Sequence, residues 1–227
     1  MQQITPKPKR AEKATRQQDP EGTKRNILEV ASEEFARNGL SGARVDEIAA
    51  RTKSKRMIYY YFGDKEGLYL AALEDAYRQV REGEARLAVD GLEPVEALRR
   101  MVEFTFDHHH RHEPFIRMVM IENIHNGQFL ARSKEIRALN VAAIDAVAGI
   151  YARGVADGWF RPGMEPLELH WQISALCFFN VSNRATFSGI FGQDFGTEAA
   201  QKMLRRNVVD MVLRYVVRDE KIAMVMR

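Results

Sequence analysis

The 227-residue chain has a single cysteine, Cys177, so no internal disulfide can form. It lies in the apolar run SALCFFN and reads as a buried, reduced thiol. No apolar run approaches the roughly 18 residues that a membrane span needs. The opening stretch, MQQITPKPKRAEKATRQQDPEG, lacks the apolar segment of a secretory signal. A cytoplasmic protein with no membrane partner is expected. No strand-like alternation bounded by hairpin turns and no internal repeat occurs, which argues against a β or repeat fold. There is no glycine-rich phosphate loop, no nucleophile–base–orienter set and no complete metal motif. An enzyme is therefore not expected, nor a cofactor.

Charge is present but unevenly placed. Residues 1–62 hold 13 Lys+Arg and 8 Asp+Glu, a net of 13 − 8 = +5, whereas the rest hold 21 and 23, a net of −2. Such asymmetry suggests that one end faces a polyanion. Residues 1–22 are polar and proline-bearing and read as a basic flexible arm with Lys7, Lys9, Arg10, Lys13 and Arg16. The arm could lie along DNA or remain a solvated tail.

Helical spacing begins at Thr23, with Ile27, Leu28, Ala31 and Phe35 on one face, and ends at Asn38-Gly39. Two short helices follow, about Val45–Arg51 and Lys55–Phe62. Gly63 breaks the second, and Asp64 can cap a longer fourth. Further helices are expected from near Pro94 and Pro114, over about Phe129–Ala156, Pro166–Phe187 and Thr197–Val217. The expected fold is all-α with about nine helices: a helix-turn-helix unit over 23–66, then a larger helical ligand-binding and dimerisation domain over 67–227.

A tight turn between two short helices, buttressed by a first, suits the DNA major groove. In KRMIYYYF the three consecutive tyrosines cannot all face one core, because successive helical side chains stand about 100° apart. With Ile58 and Phe62 inward, Arg56 and Tyr60 lie on the opposite face, with Tyr59 and Tyr61 on the flanks. An outward Arg can bond guanine in bidentate fashion, and flanking hydroxyls can donate to phosphates.

VDEIAARTKSKRMIYYYFGDKEGLYLAAL (45–73) resembles the DNA-binding domain of the TetR family of bacterial transcriptional regulators. The agreement includes Ile48-Ala49, Ile58-Tyr59, Phe62 and Lys65-Glu66. FARNGL (35–40) resembles the end of the family's first helix, and GVADGWFRPGMEP (154–166) the loop before its last two. The resemblance implies a homodimer on a near-palindromic, double-stranded operator, most often a repressor released by a small, partly apolar ligand. The alternative is a DNA-binding protein of the same fold acting through a protein partner. A filled effector core would favour that alternative, and an open cavity the first reading.

By position, Lys55, Arg56 and Met57, with Tyr60, would face base edges. Tyr59, Tyr61 and Lys65, joined by Thr23, Arg44 and Ser54, would contact phosphates. One departure stands out. The family usually spans the turn with something like Ala-Gly-Val-Ser, whereas here it reads Thr52-Lys53-Ser54, one residue shorter and without glycine. Either the turn has another geometry or the preceding helix ends earlier.

In the larger domain, Met101, Phe104, Thr105, Met118, Ile121, Glu122, Trp171, Ser174 and Phe178 are the expected pocket, apolar walls with a few polar groups. DHHHRHEP places His108 and His112 four apart on one helix face, with His109 and His110 between. This could be a pair of metal ligands or an exposed helix end; no metal is assigned. The last two helices carry Ile173, Leu176 and Phe179, and Val208, Val209, Val212 and Leu213. They could form a four-helix dimer interface or serve as ordinary core helices.

Overall fold

The computed structural model describes residues 19–226. The arm's basic residues, Lys7 to Arg16, lie outside the described residues. Eleven α-helices follow in order among those described: α1 Pro20–Gly42, α2 Val45–Thr52, α3 Lys55–Phe62, α4 Lys65–Ala85, α5 Pro94–Arg111, α6 Glu113–Ile124, α7 Lys134–Ala156, α8 Pro166–Ser182, α9 Arg184–Phe191, α10 Glu198–Val216 and α11 Asp219–Val225.

The starts of α1 and α7 and the break between α8 and α9 differ from expectation. α1 starts at Pro20, not Thr23, because Asp19 caps it by accepting from the Gly22 amide at 2.9 Å. The helix expected from Phe129 starts at Lys134. Ser133 caps it there through the Ile136 amide, and Leu130–Arg132 form a separate 3₁₀ turn. The expected 166–187 helix breaks at Asn183 into α8 and α9. A final short helix, α11, was not foreseen. Nor was the apolar character of α7, where an 18-residue window has mean hydropathy 1.3, enough by length and composition to cross a membrane. In the fold α7 is a packing helix whose Ala143, Val147, Ile150 and Tyr151 are buried.

Two clusters of side chains form the interior. The first joins α1–α4 through Ile27, Ala31, Phe35, Ile48, Ile58, Leu68 and Leu73. It also draws in Met118 of α6, Phe129 before α7 and Ile136 of α7. The second joins α5, α7, α8 and α10 through Leu98, Val102, Phe106, Ile150, Ile173, Cys177, Val209 and Leu213. Burying each such aliphatic side chain contributes roughly 1.5–3 kcal/mol. Phe160 is seated over Gly154, where a Cβ would fall within 1.9 Å of its ring, so only glycine fits. Burial pushes the Cys177 thiol up to about 12, so it packs as a small apolar residue.

Candidate nucleic-acid interface

α2 and α3 are held at their angle by a turn of two residues. Thr52 ends α2, its hydroxyl donating to the Ile48 carbonyl at 2.9 Å. Lys53 then takes the left-handed conformation, φ 54° and ψ 31°. Neither sequence alternative holds. The preceding helix runs one residue further than expected, and a lysine adopts the conformation that glycine usually supplies. Ser54 closes the turn by donating to the Thr52 carbonyl at 2.8 Å. Its hydroxyl proton is thereby engaged within the turn, and its oxygen is left to accept rather than to donate to a phosphate.

On α3, Ile58 is the single fully buried residue and pins the helix to the core of α1–α4. Phe62 is half-buried beside it. Arg56 is exposed, and Tyr60 is 76% exposed on the same outward face. Tyr59 is exposed on one flank. Tyr61 is half-buried on the other, its hydroxyl donating weakly to the Pro20 carbonyl at 3.4 Å and its ring edge-on to Tyr60 at 5.2 Å. Met57 is half-buried against the core. Its expected base contact therefore competes with packing, and the outward surface is Lys55, Arg56 and Tyr60.

Lys55 pairs with Asp46 of α2 at 2.7 Å. The shared hydrogen bond and charge hold the Asp46 carboxyl below its usual range and raise the lysine. Lys55 must leave this partner to reach a base or phosphate. Lys65, at the first position of α4, donates to the Ser41 carbonyl at 3.2 Å, which ties the end of α1 to the start of α4. Thr23 sits in the first turn of α1 with its hydroxyl on the Asp19 carbonyl at 2.8 Å. Arg44 is the residue before α2, its side chain exposed and its amide donating to Glu34 at 3.1 Å. Thr23, Arg44, Ser54 and Lys65 thus lie at the starts of α1, α2, α3 and α4, and Tyr59 and Tyr61 within α3.

The residues nominated for a ligand pocket do not enclose one cavity. Met118 belongs to the core of α1–α4. Glu122, 1% exposed, is saturated by the Tyr69 hydroxyl at 3.0 Å and the Phe129 and Leu130 amides at 3.2 and 3.1 Å. Burial beside this carboxylate drives the Tyr69 hydroxyl well above its usual range. Ile121 faces a cavity between the end of α1, α6 and α9. Trp171 points away from the interior, 71% exposed. Met101 and Thr105 are buried in α5, the Thr105 hydroxyl on the Met101 carbonyl. Phe178 is half-buried on α8. The tip of the Phe104 ring abuts Gly83 of α4 and the ring lies beside His108, and Ser174 contacts His170.

The histidine run is not an exposed helix end. His108 and His109 are buried, and His108 stacks on His112 at 4.0 Å. Burial, aided by the neighbouring imidazoles, brings His108 down to about 3; burial brings His109 to about 4. Among the described residues no group of three or more His, Cys, Asp or Glu could hold a metal ion. Sequence reasoning did not find the partners of these histidines. Arg81 on α4 reads as an ordinary surface arginine, and His170 is isolated in α8.

Known proteins share both halves of the chain. Residues 27–72 match the family described as bacterial regulatory proteins, tetR family, and residues 94–212 the tetracyclin repressor-like C-terminal domain. The transcriptional repressor NicS of Pseudomonas putida is 36% identical over 200 residues, covering 88% of this chain and 94% of its own. The transcriptional repressor AcnR of Corynebacterium glutamicum is 41% identical over 86 residues, 37% of this chain and 43% of its own. Among solved structures, a regulator from Marinobacter aquaeolei is 22% identical, with a TM-score of 0.66 over 87% of this chain and 96% of its own. AibR, in complex with isovaleryl coenzyme A and operator DNA, is 19% identical. Its TM-score is 0.63 over 83% of this chain and 97% of its own.

Proposed function

The chain belongs to the TetR family of bacterial transcriptional regulators, and from that premise we propose that it is a homodimeric repressor acting on double-stranded DNA in the cytoplasm and released by a small ligand. The observation that carries the DNA reading is α3. It is anchored by buried Ile58 with half-buried Met57 and Phe62 beside it, and its opposite face offers Arg56 and Tyr60 where a groove-inserted helix would meet base edges. The named repressors among its relatives support the sign of regulation.

Pairing of two copies is supported by apolar stripes that the chain leaves uncovered. Leu167, Trp171 and Phe179 recur along α8, and Met203, Met211 and Tyr215 along α10, all exposed. Of the residues first nominated on these helices, Ile173, Val208, Val209, Val212 and Leu213 are buried within the chain itself, Leu176 is half-buried, and Phe179 is exposed. The stripe that remains for a second copy shares only Phe179 with that set. Two helices from each copy would bury it as a four-helix bundle.

A connection between the halves is built in. Arg184, the first residue of α9, donates to Glu113 at 2.6 Å. Glu113 also lies 3.7 Å from Arg117, whose Nε donates to the Ala36 carbonyl of α1 at 2.9 Å. A ligand that shifts α8 and α9 would move α1, and with it α3, so that two recognition helices no longer match half-sites about one helical turn apart.

The test is operator binding by fluorescence anisotropy on a site selected from random duplexes. Arg56→Ala should relax sequence preference by about 1–3 kcal/mol, while Lys65→Ala should weaken all sequences alike. If neither substitution changes affinity, α3 is not the reading helix. Sedimentation as a monomer at micromolar concentration would remove the dimer. The second reading, action through a protein partner, keeps one observation in its favour: the nominated pocket residues do not enclose a common cavity.

A further inference from the structure

The cations around the α2–α3 turn are not treated alike. Arg44, Lys53 and Arg56 are exposed, and among the described residues no ion pair holds the side chain of any of them. Lys55 is held by Asp46 at 2.7 Å, although both side chains are well exposed, at 61% and 66%. Asp46 lies in the first turn of α2 and Lys55 is the first residue of α3. The two-residue turn brings these helix starts together, so the pair is a product of the fold and not of one helix. The charge of Arg44 also acts on Asp46. Glu47, beside it in the same first turn, is exposed and makes no ion pair among the described residues.

An ion pair this exposed contributes little to folding stability. Its effect is on what approaches from outside. Sequence-independent binding grows with the number of phosphates that the protein neutralises. Lys55 and Asp46 stand much closer together than the screening length of about 8 Å at physiological salt, so together they offer a phosphate almost no net charge. A phosphate brought to the ammonium is also brought to the carboxylate, and the two anions repel. The guanine edge carries no net charge, and its O6 and N7 accept from a lysine at contact distance. Beside Asp46, a base edge is therefore a better partner for Lys55 than a phosphate. The bond and charge shared with Lys55 hold the Asp46 carboxyl below its usual range, so it is ionised at neutral pH.

We infer that Asp46 is a specificity-determining residue: its carboxylate withholds Lys55 from phosphates and reserves it for a neutral base edge. The inference rests on the reading of α3 as the groove helix and adds a residue of α2 to it. Asp46 touches no base on this account. It is a positioning residue that acts through Lys55, and it lowers affinity for unrelated DNA while sparing the operator. Arg44 and Arg56 have no such restraint and remain available to phosphate and base respectively.

The test compares the selected operator with an unrelated duplex of equal length, by fluorescence anisotropy of the full-length protein across a series of salt concentrations. Asp46→Asn keeps the shape and leaves Glu47 in the first turn of α2, and both paired side chains are exposed, so the fold should hold. It should tighten the unrelated duplex about fivefold to tenfold near 0.1 M salt and steepen its log–log salt slope by about 0.9, one added phosphate contact. The operator should tighten no more than about twofold, so the preference for it falls about fivefold. Asp46→Glu keeps the charge and should leave the slope unchanged. In a Lys55→Ala background, Asp46→Asn should have no further effect on the unrelated duplex beyond about twofold. Equal tightening of both duplexes, an unchanged slope with Asp46→Asn, or the same gain without Lys55 would overturn the inference. Failure of the underlying reading looks different. A wild-type protein that prefers no duplex, or an Arg56→Ala variant whose preference is intact, would remove α3 as the groove helix and this inference with it. An Arg56→Ala variant that loses preference beside an Asp46→Asn variant that keeps it would refute the role of Asp46 alone.

Discussion

The two interiors treat buried polar groups differently. In the core of α1–α4 every buried polar side chain is bonded. Glu34 accepts from Asn38 and the Arg44 amide, Thr52 donates to Ile48, and Glu122 accepts three bonds. Where α4 and α5 meet α8, three nitrogens are left over. A saturated core fixes one geometry, as a unit presenting α3 to a groove requires. An unsaturated one leaves groups free to bond water. The contrast places the fully bonded polar groups in the core that carries α3 and the unbonded ones beyond it.

The largest way to break this contrast is to unsaturate the first core. Glu122→Ala leaves the Tyr69 hydroxyl and two backbone amides without their acceptor. It should cost about 3–5 kcal/mol in urea-induced unfolding. A loss under about 1 kcal/mol would show that water replaces the carboxylate easily. The second is pH. His108 and His109 have folded pKa values depressed to about 3 and about 4. Their contribution is fully present above the unfolded value near 6.5 and declines as pH falls below it. Stability should fall by up to about 1.4 kcal/mol per pH unit per histidine between about 6.5 and 4. Thermal melts at pH 7.5 and 5.5 would read this, and a double His108→Phe/His109→Leu variant should flatten the difference.

Smaller effects sharpen the same picture. Lys53→Gly removes the left-handed strain in the α2–α3 turn and should raise stability by about 1 kcal/mol. An unchanged midpoint would mean that the looser unfolded chain cancels the gain. His109→Leu alone at pH 8 removes the ring's bond to the Cys177 backbone together with the unbonded Nδ1, and should cost about 1 kcal/mol in urea-induced unfolding. An unchanged midpoint would show that this bond contributes nothing to stability.

Much of the DNA-facing end was legible because its signals are local. Periodicity marks α2 and α3 to within one residue at each end, and Ile58 had to be inward for the tyrosines to be outward. What the local pattern could not show is where flanking groups spend their hydrogen bonds. Ser54 donates within the turn, and Lys55 is paired with Asp46. The pocket was less legible. Met118 and Trp171 have the composition of pocket walls, but one packs under α1–α4 and the other stands in the open. Which face of an apolar helix is covered depends on neighbours distant in sequence, and α8 is apolar nearly all round.

By itself the sequence determined an all-helical chain, the short paired helices and the outward placement of Arg56 and Tyr60, because helix geometry is set by residues within a few positions of one another. Only the tertiary structure decided that Lys53 would bear the turn, that the uncovered stripe of α8 runs through Leu167 and Trp171, and that His108 and His109 would be buried. Each of these depends on burial and hydrogen bonding between separate helices, and no single stretch of chain carries that information.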